Sequence, residues 1–218
     1  MQFEEIFNNG MIYNFFQKLI RKKRAFESIK EFFAFPSHTN SSEKVKVLDI
    51  GCGPGTYVPW LIDTDYTGID VNEENIVMAR KKYANFANIN FIAGDLKTFN
   101  NMKFENTFDV VFMSNVLHHL PKDTILSILP LIPKLLKKNG ELRLSDPVYT
   151  KEQSKISKWV MSHDRGKYIL ELDDYLSLIK DYFPFVKYKV ETDLLRFPFP
   201  YPGIACWGYL FNEEKDNG

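Results

Sequence analysis

Val45-Lys46-Val47-Leu48-Asp49-Ile50-Gly51-Cys52-Gly53-Pro54-Gly55 runs from a short apolar stretch directly into a cluster of glycines. Val45 to Ile50 reads as a buried strand, and the glycines at 51, 53 and 55 let the backbone turn sharply and approach a ligand closely. A helix is expected over Thr56 to Ile62, its free N–H groups facing whatever the turn encloses.

Working outward, short apolar runs alternate with longer amphipathic stretches. Tyr66 to Ile69, Ile89 to Ala93, Phe108 to Met113 and Glu141 to Ser145 read as strands. Glu73 to Tyr83 and Lys122 to Lys137 read as the helices between them, the second distorted by Pro130 and Pro133 and stopped at Asn139-Gly140, because Gly tolerates positive φ. This rhythm predicts an α/β fold, a three-layer sandwich around a mostly parallel sheet. Farther on, Lys151 to Ser162 is amphipathic, a helix opens near Asp173, and Phe185 to Thr192 and Ala205 to Phe211 read as strands. Ahead of the loop, Ile12, Phe16, Leu19, Phe26, Ile29 and Phe33 recur at helical spacing over residues 11 to 34, and a polar linker from Pro36 to Lys44 ends that helix. The expected organisation is a helical cap over 1–44 and an α/β domain over 45–218, with a helical insert at about 147–180.

Composition narrows the function classes. The 218 residues are 44% hydrophobic, enough for a sizeable core, and 28 basic residues balance 28 acidic ones. Without a net field, nothing draws the chain to nucleic acid or an anionic membrane. Arg21-Lys22-Lys23-Arg24 reads as a solvated helix face. Cys52 and Cys206 lack the spacing of a disulfide framework or zinc site, so no metal is expected and a cytoplasmic setting fits. No run approaches the roughly 20 apolar residues that span a bilayer, and Met1-Gln2-Phe3-Glu4-Glu5 does not open like a signal peptide. A monomer or homodimer is expected.

Asp70 closes the second strand 19 positions after Gly51, where a carboxylate can accept hydrogen bonds from a ribose. The ligand is therefore read as an adenosine cofactor. A dinucleotide site usually spaces its glycines as G-x-G-x-x-G, whereas position 56 here is Thr. Asp49 would also repel a pyrophosphate, yet it suits the ammonium of a methionine moiety.

Val47-Leu48-Asp49-Ile50-Gly51-Cys52-Gly53-Pro54-Gly55 resembles the first signature of class I S-adenosylmethionine-dependent methyltransferases, and later signatures follow in order. These are Asp70, Gly94-Asp95-Leu96, Phe108-Asp109-Val110-Val111 through His118-His119-Leu120, and Leu136-Lys137-Lys138-Asn139-Gly140-Glu141-Leu142. The resemblance implies a Rossmann-like seven-stranded sheet with a reversed last strand. It also implies S-adenosylmethionine as cofactor and S-adenosylhomocysteine as product. Asp49, Gly51, Gly53 and Gly55 would face the methionine part, Asp70 with Val71 the ribose side, Asp95 with Leu96 the adenine, and Asn115 the end of the fourth strand. A bacterial small-molecule branch, of the ubiquinone- and menaquinone-biosynthesis type, resembles the chain further. There an N-terminal helix, here carrying Tyr13, folds over the cofactor, with Tyr13 and Tyr57 at its methionine end. An aminopropyl transferase of the same fold fits less well, since no acidic pair ends strand four, and a dinucleotide site fits less well by the glycine spacing and Asp49.

Methyl transfer from a sulfonium is an in-line displacement, so alignment and water exclusion matter most and a base is optional. The reacting end should lie outside the carboxyl ends of the strands, at Ser114-Asn115-Val116-Leu117-His118-His119. His119, then His118, are the candidate bases, against the alternative that a His there only caps a turn. His163, Arg165 and Tyr168, in a cluster that is either a pocket or a surface turn, are candidates for a small-molecule acceptor, with Arg196 ahead of the Phe197-Pro198-Phe199-Pro200-Tyr201-Pro202 run. Nucleic-acid amino methylation would need an Asn-Pro-Pro-Tyr-like element, but Val116 and Leu117 follow Asn115. Cytosine C5 methylation would need Pro-Cys, but Ala205 precedes Cys206. The competing reading is a cofactor-binding scaffold without turnover.

Overall fold

A computed structural model describes residues 31–34, 43–97, 104–164, 166–191 and 202–210. Among these residues, eight strands form one sheet: β1 (Lys46–Ile50), β2 (Asp65–Asp70), β3 (Ile89–Ala93), β4 (Phe108–Ser114), β5 (Leu136–Tyr149), β6 (Leu170–Glu171), β7 (Phe185–Glu191) and β8 (Gly203–Tyr209). Their order is β3-β2-β1-β4-β5-β8-β7, with β6 paired to β5 off this path. β1 to β5 are parallel, while β8 lies antiparallel between β5 and β7. The α/β sandwich and its reversed last strand thus take the expected form.

Register decides where the site falls. Asp49 pairs with Gly68 and Phe112, Asp70 with Ala93, and Ser114 with Ser145. The turns after Ile50, Asp70, Ala93 and Ser114 therefore open on one edge of the sheet. The chain reverses its direction of strand addition between β1 and β4, where open α/β sheets bind ligands.

The central strands are apolar on both faces because both are covered. Leu48, Ile50, Val111 and Met113 face a core built with α2 (Lys122–Ile128), α3 (Ile132–Leu135) and α5 (Leu172–Lys180). Val47, Tyr66, Val110 and Phe112 face another, with Ile76 and Ala79 of α1 (Glu73–Lys82) and with Phe32 and Phe33. Asn72 starts α1 by accepting from the Glu74 and Asn75 amides, and Ser154 does the same for α4 (Lys155–Ser162) through Ser157.

Several expected elements differ. Thr56 to Ile62 holds only a 3-10 turn, Val58–Trp60, because Pro59 interrupts it and the flanking Tyr57 and Trp60 turn toward Phe33. The long helix from Lys122 breaks at a 3-10 turn, Leu129–Leu131, around Pro130, and Pro133 opens α3. It ends before Leu136, where β5 already begins, nine residues longer than Glu141 to Ser145 at its two ends combined. Gly140 sits inside that strand without a positive φ. A side chain there would come within 3.0 Å of the Phe108 carbonyl, so close approach to β4, and not a helix stop, requires the glycine. The helix near Lys151 starts only at Lys155, and β6 is two residues long, too short to leave a pattern. Residues 11–30 of the expected N-terminal helix, the basic run within it, and most of the linker lie outside the described residues. Among the described residues no helix is long and apolar enough to cross a membrane.

Candidate active site

Three alternate residues, all glycines in the left-handed region, shape the loop: φ is 76° at Gly51, 54° at Gly53 and 73° at Gly55. The Gly51 and Cys52 amides both donate to the Ile69 carbonyl, at 2.8 and 3.1 Å, tying the loop to β2. Gly51 and Gly55 are closed in by packing, since an added Cβ would lie 2.5 Å from Val116 and 2.6 Å from Tyr83. Gly53 is different: a Cβ there would meet nothing within 4 Å. It borders open space, a cradle that a larger residue would fill.

Asp70 holds the loop in shape. One carboxylate oxygen accepts from the Gly53 amide at 2.8 Å and the other from the Asn72 amide at 2.8 Å. Each oxygen keeps a further lone pair for a ligand hydroxyl. Val71 beside it is 77% exposed, an apolar surface at the strand end, and Asp95 is exposed after β3 while Leu96 is buried.

Asp49 points below the loop. It is buried and accepts a 2.6 Å hydrogen bond from the Tyr66 hydroxyl. Burial pushes its carboxyl from an ordinary value of 3.8 up to about 8, against the lowering effect of the Tyr66 bond. Burial pushes the Cys52 thiol up as well, aided by Asp49 and Asp70, so it is no nucleophile. The Tyr57 hydroxyl receives hydrogen bonds from Ser114 Oγ at 2.8 Å and Asn115 Nδ2 at 3.1 Å. Asn115 takes a left-handed φ of 57°, and its amide donates to the Ser145 carbonyl at 2.7 Å. These contacts bridge the glycine loop and the end of β4.

Past Asn115, Val116 covers Gly51 and the chain makes a 3-10 turn, Leu117–His119. His118 is buried at 5% exposure. Its Nδ1 lies 2.6 Å from Asp146 Oδ1, which also accepts the His118 amide at 3.2 Å. A carboxylate can only accept, so Nδ1 donates to Asp146 and the ring is oriented with Nε2 on its other side. Nε2 faces Asp164 Oδ1 at 3.7 Å, too far for a hydrogen bond. Buried Tyr175 bonds the other oxygen of Asp146 at 3.5 Å. His119 is exposed, its ring 4.0 Å from that of His118. Residues 166–168 close on this turn: the Tyr168 amide donates to the His118 carbonyl, and Gly166 lies against the imidazole so closely that a Cβ would fall 1.8 Å from Cδ2.

Of the remaining candidates, His163 is exposed and turned toward Trp159, whose carbonyl it bonds at 2.8 Å, so it does not join the His118 group. Tyr168 is 43% exposed. Tyr13, Arg165 and Arg196 lie outside the described residues. Asp146, Asp164 and Tyr175 escaped the sequence reading as site residues; a carboxylate one position past Ser145, level with Ser114 across the strand pair, was the available signal for Asp146. Next to this group, Tyr149, Lys158, Trp159, Ser162 and Glu171 line an open cleft of about 400 Å³. Burial and the nearby Glu171 and Asp164 carboxylates push the Tyr149 phenol up.

A doubly wound sheet with a positive-φ glycine turn and an acidic residue ending β2 defines a Rossmann-like domain built for an adenosine cofactor. The chain belongs to the methyltransferase-domain family, whose model matches residues 41–181. Its methyl donor is S-adenosylmethionine. A sterol 24-C-methyltransferase of Candida albicans is 29% identical over 142 residues, a match covering 62% of this chain and 36% of that protein. A SAM-dependent methyltransferase from Archaeoglobus fulgidus shares the fold at TM-score 0.69 and 18% identity, over 90% of this chain and 99% of that one. The plantazolicin methyltransferase BpumL, solved with a triazolic desmethylPZN analog and SAH, shares it at TM-score 0.58 and 20% identity, over 85% of this chain and 84% of that one.

The donor set fits such a cofactor: an open cradle at Gly53, lone pairs on Asp70 for hydroxyls, and the apolar face of Val71 beside them. Gly53→Ala tests the cradle. A left-handed φ of 54° with a Cβ costs roughly 1–2 kcal/mol, so the variant is expected to fold, slightly destabilised, and to bind S-adenosylhomocysteine at least about tenfold more weakly in calorimetry.

Proposed function

We propose that the chain methylates a small-molecule acceptor, with His118 as general base and Asp146 orienting it. The supporting observation is the 2.6 Å Nδ1 to Asp146 contact on a turn whose Val116 covers the glycine loop. When bound, the donor supplies a methyl group on a positively charged sulfur, and that carbon–sulfur bond breaks with its electron pair going to sulfur. The loop glycines would hold its methionine end, with Asp49 beneath them supporting the loop through Tyr66, Asp70 and Val71 would take the ribose side, and Asp95 and Leu96 the adenine, with Tyr57 and Asn115 at the mouth.

His118 Nε2 takes the proton of the acceptor group, leaving that group the electron pair for the new bond. The resulting imidazolium lies between the Asp146 and Asp164 carboxylates, which stabilise it. His119 stands exposed beside it, its ring 4.0 Å from that of His118. The acceptor enters by the cleft of Tyr149 and Trp159, past Asp164. A carbon acceptor is favoured, because the sterol relative is named for carbon methylation and carbon acids need the base most. Incubating metabolite extract with methyl-labelled donor and resolving products by mass spectrometry tests this. A labelled small molecule that has lost one carbon-bound deuterium from a deuterated precursor is expected; label on oxygen or nitrogen would overturn the carbon assignment.

Asp49 gives a pH signature. Its carboxyl titrates near 3.8 in the unfolded chain and at about 8 in the folded one, so between these values the folded state holds the extra proton. Its contribution is full below pH 3.8 and is lost as pH rises to about 8. Asp49→Asn has no such loss: relative to wild type, its melting temperature should gain on going from about pH 5 to about pH 9, by at least roughly 2–4 °C in the ligand-free protein. A pH-independent difference would refute the raised carboxyl.

A further inference from the structure

We infer that Arg143 is a positioning residue for cofactor binding: it latches the end of the N-terminal segment over Tyr57 at the mouth of the glycine loop. Arg143 stands on β5 and is 2% exposed. Glu141, two residues away on the same face, accepts from its Nε at 2.8 Å and from Nη2, which neutralises the charge. The rest of the guanidinium is aimed at backbone. Nη1 donates to the Phe32 carbonyl and Nη2 to the Ala34 carbonyl at 3.2 Å. Residues 31–33 are helical, so these are carbonyls at a helix end, which have no partner of their own, and a cation is the favoured group there. The planar fork of Arg reaches both carbonyls and the carboxylate at once, which an ammonium cannot.

The latch determines where Phe33 sits. Its ring lies 5.2 Å from Tyr57, 6.2 Å from Trp60 in a stacked pair, and 5.2 Å from Phe112. Phe32 packs in turn on Trp207 of β8. Tyr57 therefore has its ring fixed by Phe33 and its hydroxyl fixed by Ser114 and Asn115. A second tie, the exposed pair of Lys189 with Glu31, is of the weak surface kind. Arg143 touches neither the loop nor the cofactor cradle; it acts through Phe33 and Tyr57. The inference rests on the cofactor lying at the glycine loop.

The test is calorimetric titration of the full chain with S-adenosylhomocysteine, together with tryptophan emission. Arg143→Lys is expected to weaken binding about tenfold, the loss of a charged hydrogen bond, with stoichiometry still one and with a shifted emission as Trp60 loses its Phe33 partner. A purely structural role would lower the melting temperature or the binding fraction without changing the affinity of the molecules that remain folded. Phe33→Ala should weaken binding in the same direction, and the double variant should fall short of the two effects added. If Arg143→Lys does not fold, Phe33→Ala decides the matter. Unchanged affinity in both folded variants overturns the latch. Asp70→Ala in the same series reports on the loop alone: unchanged affinity there overturns the cofactor placement and the latch with it, whereas a loss there with none in Arg143→Lys or Phe33→Ala overturns the latch only.

Discussion

His118→Gln is expected to slow methyl transfer by about 100- to 1000-fold, the range a positioned general base contributes, while binding of S-adenosylhomocysteine stays unchanged. Glutamine keeps much of the volume beside Gly166 and can still donate to Asp146, but it cannot accept a proton at the place where Nε2 stands. The loss should appear in kcat and not in cofactor affinity, because no contact of His118 reaches the glycine loop except through Val116. Asp146→Asn should act in the same direction by freeing the imidazole to turn, and it also removes the carboxylate that Tyr175 bonds. A His118→Gln protein that transfers methyl groups at the wild-type rate would reduce His118 to a staple for residues 166–168.

Asp70→Ala should weaken cofactor binding by about 100-fold or more, the worth of two charge-assisted hydrogen bonds to hydroxyls. Two effects act together. The ribose side of the cradle loses its acceptor, and the Gly53 amide loses the 2.8 Å bond that holds the loop open at its one uncrowded glycine. Asp70→Asn separates them, since its amide oxygen can still accept from Gly53; its affinity should lie between that of wild type and Asp70→Ala. Calorimetry with S-adenosylhomocysteine reads both variants, and equal affinity across the three proteins would remove Asp70 from the site.

The sheet was legible where short apolar runs stand between turn residues: β1 is buried from Val47 to Ile50, and β3, at the sheet edge, buries Ile89 and Phe91. The glycine loop was legible for a related reason: positive φ at 51, 53 and 55 demands glycine, so the backbone conformation is written in the residue type. Helix ends were not. Tertiary contacts of Tyr57 and Trp60 with Phe33 replace the helix expected after the loop by a single turn. The candidate cofactor residues follow strand ends in chain order, whereas the proposed reacting group joins His118, Asp146, Asp164 and Tyr175 from four separate elements, a grouping that only strand register and turn geometry bring together. The choice between His118 and His119 shows the same limit. Adjacent identical residues differ only in which one the turn points inward at Asp146. Asp49, read as a carboxylate facing the cofactor, lies under the loop with Tyr66 as its partner, because the strand's alternation sends position 49 into the core beside Val47.

Cofactor binding at the glycine loop and proton removal by His118 are read together in a single turnover. Wild type and His118→Gln, each loaded with methyl-labelled S-adenosylmethionine, are mixed with the same metabolite extract and followed by mass spectrometry. Wild type should give a labelled small molecule and His118→Gln almost none, with the label still bound as intact donor on the variant. Label confined to macromolecules, or the same product at the same rate from both proteins, would overturn the role of His118 in methylating a small molecule.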